Sequence, residues 1–237
     1  MSCALCLKQK PLQRSHIIPE FVYDALYDDK HRLRVLSSKP DRASRMEQKG
    51  FREELLCADC EGLIAKWERY VSLVFSGAIT TSSRRDGNLV FVSGVDYAQF
   101  KLFQLSVLWR AGVSMLPFFS NVRLGPHEEL LRKLIVAADP GDPHDYGCTL
   151  YALTKDNGVD RELITQPTQF RMQSVRGYHF LFGGMSWVYF VSSHGVPPGL
   201  KAAFVQRSGT FALLPVKSPG EMFIERLARR LHENRTR

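Results

Sequence analysis

The chain has 237 residues, 44% of them hydrophobic and 24% charged, a composition that excludes wholesale disorder and allows a real core. Lys and Arg outnumber Asp and Glu by 32 to 24, giving a net charge of +8 and a pI near 9.4. Such an excess favours a polyanionic partner, because neutralising phosphates releases counterions.

The start, Met1-Ser2-Cys3-Ala4-Leu5-Cys6, lacks the basic and apolar segments of a signal peptide. No apolar run has the length of a membrane helix; the closest stretch, Tyr178 to Val191, is broken by Gly183-Gly184. The expectation is a cytoplasmic protein with reduced thiols and no membrane partner. Cys3-Ala4-Leu5-Cys6 reads as a metal-binding turn, Lys8 to Pro11 as a hairpin tip, and Leu12 to Ile17 as the return strand ending at His16. Pro19 suits the first turn of a helix to Tyr27. Asp28 to Gly50, polar and basic, reads as a long loop.

A helix is expected from about Glu61 to Phe75, with Leu63, Ile64, Trp67, Val71 and Val74 on its apolar face. Thr80 to Gly87 reads as a linker, so the expected division is a module over 1–80 and a second domain over 88–237. That domain opens with a strand, Leu89 to Ser93, and a helix through Leu116 capped by Asp96 with Gln99 three residues on. Tyr97, Phe100, Phe103, Leu108, Trp109 and their neighbours make this helix apolar on most sides, the mark of a buried element. Gly125-Pro126 opens a further helix to about Ala138. Tyr151 to Leu153, Tyr178 to Phe182, Trp187 to Val191 and Phe211 to Leu214 have the pattern of an antiparallel sheet. Ser218-Pro219-Gly220-Glu221 caps a basic terminal helix. The fold class is therefore α+β.

Four of the five cysteines fall into two Cys-x-x-Cys pairs, Cys3/Cys6 and Cys57/Cys60. Zinc favours tetrahedral sulfur ligation, and a two-residue spacer lets one turn present both thiolates, so the four residues are the candidate ligands of a structural Zn²⁺. His144, Asp145 and Cys148 lie in a turn-rich stretch and read as structural, as does Ser193-His194-Gly195. The tryptophans and phenylalanines read as core. No phosphate-binding glycine loop is present.

The order of Cys-x-x-Cys turn, hairpin ending in histidine, loop, and helix opened by a second Cys-x-x-Cys is the treble-clef arrangement. It resembles the zinc-containing HNH (ββα-metal) endonucleases. Ser15-His16-Ile17-Ile18-Pro19 with Leu55-Leu56-Cys57 is similar to a group of bacterial HNH-like proteins, as are Asp96-Tyr97, Lys101-Leu102-Phe103, Trp109-Arg110-Ala111 and Leu124 to Glu129. The resemblance implies a nuclease with His16 as general base and a hard cation, Mg²⁺ or Mn²⁺, on the scissile phosphate. It also implies a role in bacterial defence against phage.

This chain departs from the family pattern in two places. Ser15 stands where an acid usually precedes the base, and Glu61 stands where a helix histidine is usual. Glu61, and Glu68 seven residues on, are the candidate carboxylate ligands, and Gln48 is the candidate for orienting His16. Arg42, Arg45 and Arg52 are candidates for holding a nucleic acid, DNA in the first instance.

Each residue has a second reading. His16 can complete a zinc shell or bond within a strand, Glu61 can serve the helix dipole, Glu68 can be a surface ion-pair residue, and the arginines can be ordinary surface. Two other functions stay open: a nucleic-acid-binding regulator without catalysis, and an assembly protein that uses zinc for folding. The second domain is the expected docking face for a protein partner or a second copy.

Overall fold

The computed structural model describes residues 1–30, 32–35, 45–155, 158–172, 174–192, 196 and 198–216. The expected terminal helix, Arg42 and the Ser193-His194-Gly195 turn lie outside them, as does the side chain of Arg45.

The N-terminal part is built on a long-range strand pair. β1 (Leu12–His16) leads into a short 3-10 turn (Glu20–Val22). β2 (Arg32–Val35) and β3 (Arg45–Gln48) follow as an antiparallel pair, and β4 (Arg52–Cys57) returns alongside β1. Three expectations change here. The partner of β1 is β4 and not the Cys3–Cys6 segment, which is tied on by a single Ser2–Gln9 bridge and by Ala4 N–H donating to the Leu55 carbonyl. The expected helix from Pro19 shrinks to one 3-10 turn, because Tyr23 is drawn fully into the core and its hydroxyl accepts the Phe51 N–H. The expected loop from Asp28 carries the β2–β3 pair.

α1 (Ala58–Ser76) begins directly after β4 and ends on Gly77, whose φ of 78° is the left-handed closing conformation. β5 (Ser82–Asp86), within the stretch expected as a linker, pairs with β6 (Leu89–Ser93). α2 (Tyr97–Val113) is capped by Asp96, which accepts the Gln99 N–H at 2.9 Å. Every residue from Phe100 to Ala111 is buried, which confirms an element enclosed on all sides. A 3-10 turn (Pro117–Phe119) and α3 (His127–Ala137) complete the helical layer, with α2 packed between α1 and α3.

The rest is sheet: β7 (Cys148–Lys155), β8 (Gly158–Val159), β9 (Thr165–Met172), β10 (Val175–Phe182), β11 (Met185–Val191), a short helix α4 (Pro198–Lys201) and β12 (Thr210–Val216). The strand order is β5-β6-β12-β7-β11-β10-β9, with β8 on β7. Every pair is antiparallel except β12–β7. Strand alternation gives the sheet two apolar faces. Tyr178, Phe180, Trp187 and Tyr189 face the helices in one continuous core that reaches Cys3 and Cys57; Tyr151, Leu153, Val188 and Phe190 form a second cluster closed by Phe204. Both Trp109 and Trp187 are fully buried, as core residues.

Candidate metal centre and histidine site

The two cysteine pairs meet where the first knuckle abuts the start of α1. Leu7, at a φ of 62°, turns the chain so that its N–H reaches the Cys3 carbonyl and Cys3 N–H reaches Lys8. Cys57 caps α1 and Cys60 lies in its first turn, so these thiols sit at the positive end of the helix dipole. The four sulfurs all lie within 4.8 Å of one another, with Cys6 Sγ and Cys57 Sγ 3.8 Å apart. Sulfurs about 2.3 Å from a tetrahedral zinc are about 3.8 Å from each other, so the set matches the ion in donor type, number and spacing.

The surroundings favour the thiolate of Cys3. Burial opposes ionisation of Cys3, but N–H groups of Cys6, Cys57 and Leu5 aimed at its sulfur bring it down to about 7. Cys60 is pushed up by burial and by sharing its pocket with Cys57, Cys3 and Cys6, the crowding that a cation at the centre relieves. Two cations lie near by. Lys10 pairs with Asp59 beside the second knuckle, and Arg132 of α3 donates to the Leu5 carbonyl at 2.7 Å between the first two cysteines.

His16 lies at the other end of the β1–β4 pair. Leu12 is opposite Cys57 and His16 opposite Arg52, which puts the imidazole roughly 14 Å from the cysteine end at about 3.4 Å per residue. Its side chain is 21% exposed. Nε2 is 2.9 Å from the Lys49 carbonyl and also touches the Glu20 carboxylate one helical turn on. A carbonyl can only accept, so Nε2 is the nitrogen that donates here. Arg14 and Arg52 share the face of the strand pair that His16 occupies.

The other candidates divide. Gln48 is exposed at the end of β3, and the group that faces the ring from that segment is the carbonyl of the adjacent Lys49. Ser15 points the opposite way from His16 and is buried, its hydroxyl accepting the Leu56 N–H at 3.1 Å. An acid there would be enclosed in the same way. Glu61 lies just past Cys60 and one of its oxygens is shut from solvent with no hydrogen-bond partner among the described residues. Glu68, about 10 Å farther along α1, makes an ion pair at 2.6 Å with Arg110 of α2. Arg110 in turn donates to the His16 carbonyl at 2.6 Å.

Glu20, Lys49 and Arg110 are the residues that sequence reasoning missed. The His16-x-x-x-Glu20 spacing was the one local signal, since residues four apart can meet on a turn. Elsewhere, Cys148 is buried against Thr149 with its thiol pushed up by burial, a core cysteine. His144 pairs with Asp142 in an exposed turn.

Comparisons with protein-family models, with curated proteins and with solved structures return no match for this chain. What the fold and site define is a mixed α+β protein whose N-terminal cluster of Cys3, Cys6, Cys57 and Cys60 could hold a metal ion such as zinc. No helix of the described residues is long and apolar enough to cross a membrane.

Proposed function

We propose that this chain is a zinc-stabilised, HNH-like phosphodiester hydrolase acting on nucleic acid, with DNA as the first substrate to test and phage defence as its setting. The observation that carries the reading is the state of His16. It is a partly exposed imidazole at a strand end, with its Nε2 held by a carbonyl and a carboxylate.

In this mechanism Nδ1 of His16 takes a proton from the water that attacks phosphorus, while Glu20 and the Lys49 carbonyl hold the ring and its tautomer. Arg14 and Arg52, on the same face, supply positive charge for the phosphate backbone. The four cysteines would hold zinc as a folding element and take no part in proton transfer. A hard cation such as Mg²⁺ or Mn²⁺, when bound, neutralises charge on the phosphate. Such ions use one or two carboxylates together with substrate oxygens. Among the described residues the cysteine cluster is the sole group of three or more metal-ligating side chains. Glu20, which touches the His16 ring, is the carboxylate placed for this role, because Glu61 lies at the cysteine end and Glu68 is committed to Arg110.

A second reading, nucleic-acid binding without cleavage, draws on two observations: Ser15 is enclosed and Glu68 is neutralised. Purified protein is assayed on plasmid and on RNA with Mg²⁺ or Mn²⁺, beside His16→Ala matched for zinc content. Cleavage by wild type that His16→Ala lacks supports the hydrolase. Salt-sensitive binding with no cleavage by either protein supports the second reading. Neither binding nor cleavage leaves a zinc-folded assembly protein.

A further inference from the structure

We propose that Arg110, buried in α2 and far from His16 along the chain, is a positioning residue that sets the orientation of His16 from behind. The proposal rests on the reading of His16 as a general base. It begins from an electrostatic oddity. Arg110 is 1% exposed, between the apolar Trp109 and Ala111, on a helix that packing alone would fill with Leu or Met. A guanidinium in such a place carries a large desolvation cost, and buried ion pairs are on their own weak sources of stability.

Two of the guanidinium nitrogens make hydrogen bonds, and the third lies against a carboxylate as an ion pair without hydrogen-bond alignment. Nε donates to the Ser106 carbonyl at 3.3 Å, Nη2 pairs with Glu68 at 2.6 Å, and Nη1 donates to the His16 carbonyl at 2.6 Å. The fork is planar and rigid, so the bond to α2 and the ion pair with α1 constrain the third direction in a way a lysine could not. That third direction meets the peptide where β1 stops. Just past His16 the Ile17 N–H makes one more bond between the strands, to the Phe51 carbonyl at 3.0 Å, while the His16 carbonyl turns to Arg110. Without Arg110 the half-buried His16 carbonyl would lose this partner.

His16 is thus held at two points. Lys49 and Glu20 hold the ring, and Arg110 holds the backbone that carries it. Arg52 from β4 and the Tyr23 ring, 6.2 Å away, complete its charged and aromatic surroundings.

The test compares wild type with Glu68→Met/Arg110→Met, which removes both buried charges together and so keeps the core apolar and folded. The expected result is full zinc content and cooperative unfolding, with kcat for His16-dependent cleavage about 100-fold lower and KM changed less than about twofold. The His16 ring nitrogen and carbon NMR signals move. Arg110→Lys, which keeps the charge and loses the fork, falls between. A folded, zinc-loaded double variant with wild-type His16 signals and wild-type kcat overturns the proposal. If wild type shows no His16-dependent cleavage, the hydrolase reading fails, while the ring signals still decide whether Arg110 positions His16. If the double variant does not fold, wild type is labelled at Arg110. Slow-exchanging Nη signals coupled across a hydrogen bond to the His16 carbonyl carbon support the proposal, and their absence overturns it.

Discussion

Gly50→Ala tests the link between the core and the His16 ring. Gly50 follows the residue whose carbonyl contacts the imidazole, and both are left-handed, Lys49 at a φ of 61° and Gly50 at 67°. A Cβ on Gly50 would lie 2.6–2.9 Å from three ring atoms of Tyr23. The Tyr23 ring has no room to yield: it is fully buried, stacked on Tyr27 and edge-on to Phe51, with its hydroxyl bound to the Phe51 N–H.

The left-handed backbone costs an alanine about 1–2 kcal/mol. Overpacking against Tyr23 adds about 1–3 kcal/mol. Reduced entropy of the unfolded chain offsets about 0.4–1 kcal/mol of this. A net loss of about 3 kcal/mol lowers Tm by about 6–12 °C in a chain of this size. Calorimetry with zinc content held constant measures the loss, and the His16 ring signals report the displacement of Lys49. Adding Tyr23→Leu makes a double-mutant cycle, in which the steric part is recovered and the backbone part is not. A Tm within about 2 °C of wild type, with the His16 signals unmoved, would refute the claim that Gly50 is required by Tyr23.

Elemental analysis is expected to find one zinc per chain, and Cys57→Ser or a strong chelator to cost the protein its cooperative unfolding, read by circular dichroism. Retention of cooperative unfolding without metal would count against a structural centre. Arg132→Ala should release zinc faster to a chromophoric chelator, because it removes both the donor to Leu5 and a positive charge near Cys6. Lys101 gives a pH signature. Burial brings its amine down to about 8, so between about pH 8 and the unfolded value near 10.4 the unfolded chain binds the extra proton and stability rises with pH. Urea titrations across that window should show the rise in wild type and lose it in Lys101→Met. That variant is also less stable near pH 7, since the amine caps the carbonyls of Asp145 and Tyr146.

The sequence carried what is local. Two Cys-x-x-Cys spacers, Asp96 before an apolar helix, and alternating aromatic runs each follow from chemistry within a few residues. The four-cysteine cluster and the cores of α1, α2, β7, β10, β11 and β12 correspond to them. β9 was missed because its Thr165–Met172 run is largely polar and includes Pro167, and its pairing with β10 supplies the order its side chains do not.

Partner choice was decided by the tertiary structure. Nothing near Arg110 in the chain announces that its charge belongs with Glu68 and His16. Lys101, nine residues earlier, sits on the opposite side of the same helix because the turn repeats every 3.6 residues, and it closes a loop instead. The pairing of β1 with β4 across 35 intervening residues or more, the parallel β12–β7 contact and the inward turn of Ser15 are likewise long-range. Spacing along a chain fixes which side chains can share a face. Which distant face comes to meet them is set by how the whole core closes, and that is where the surroundings of His16 were determined.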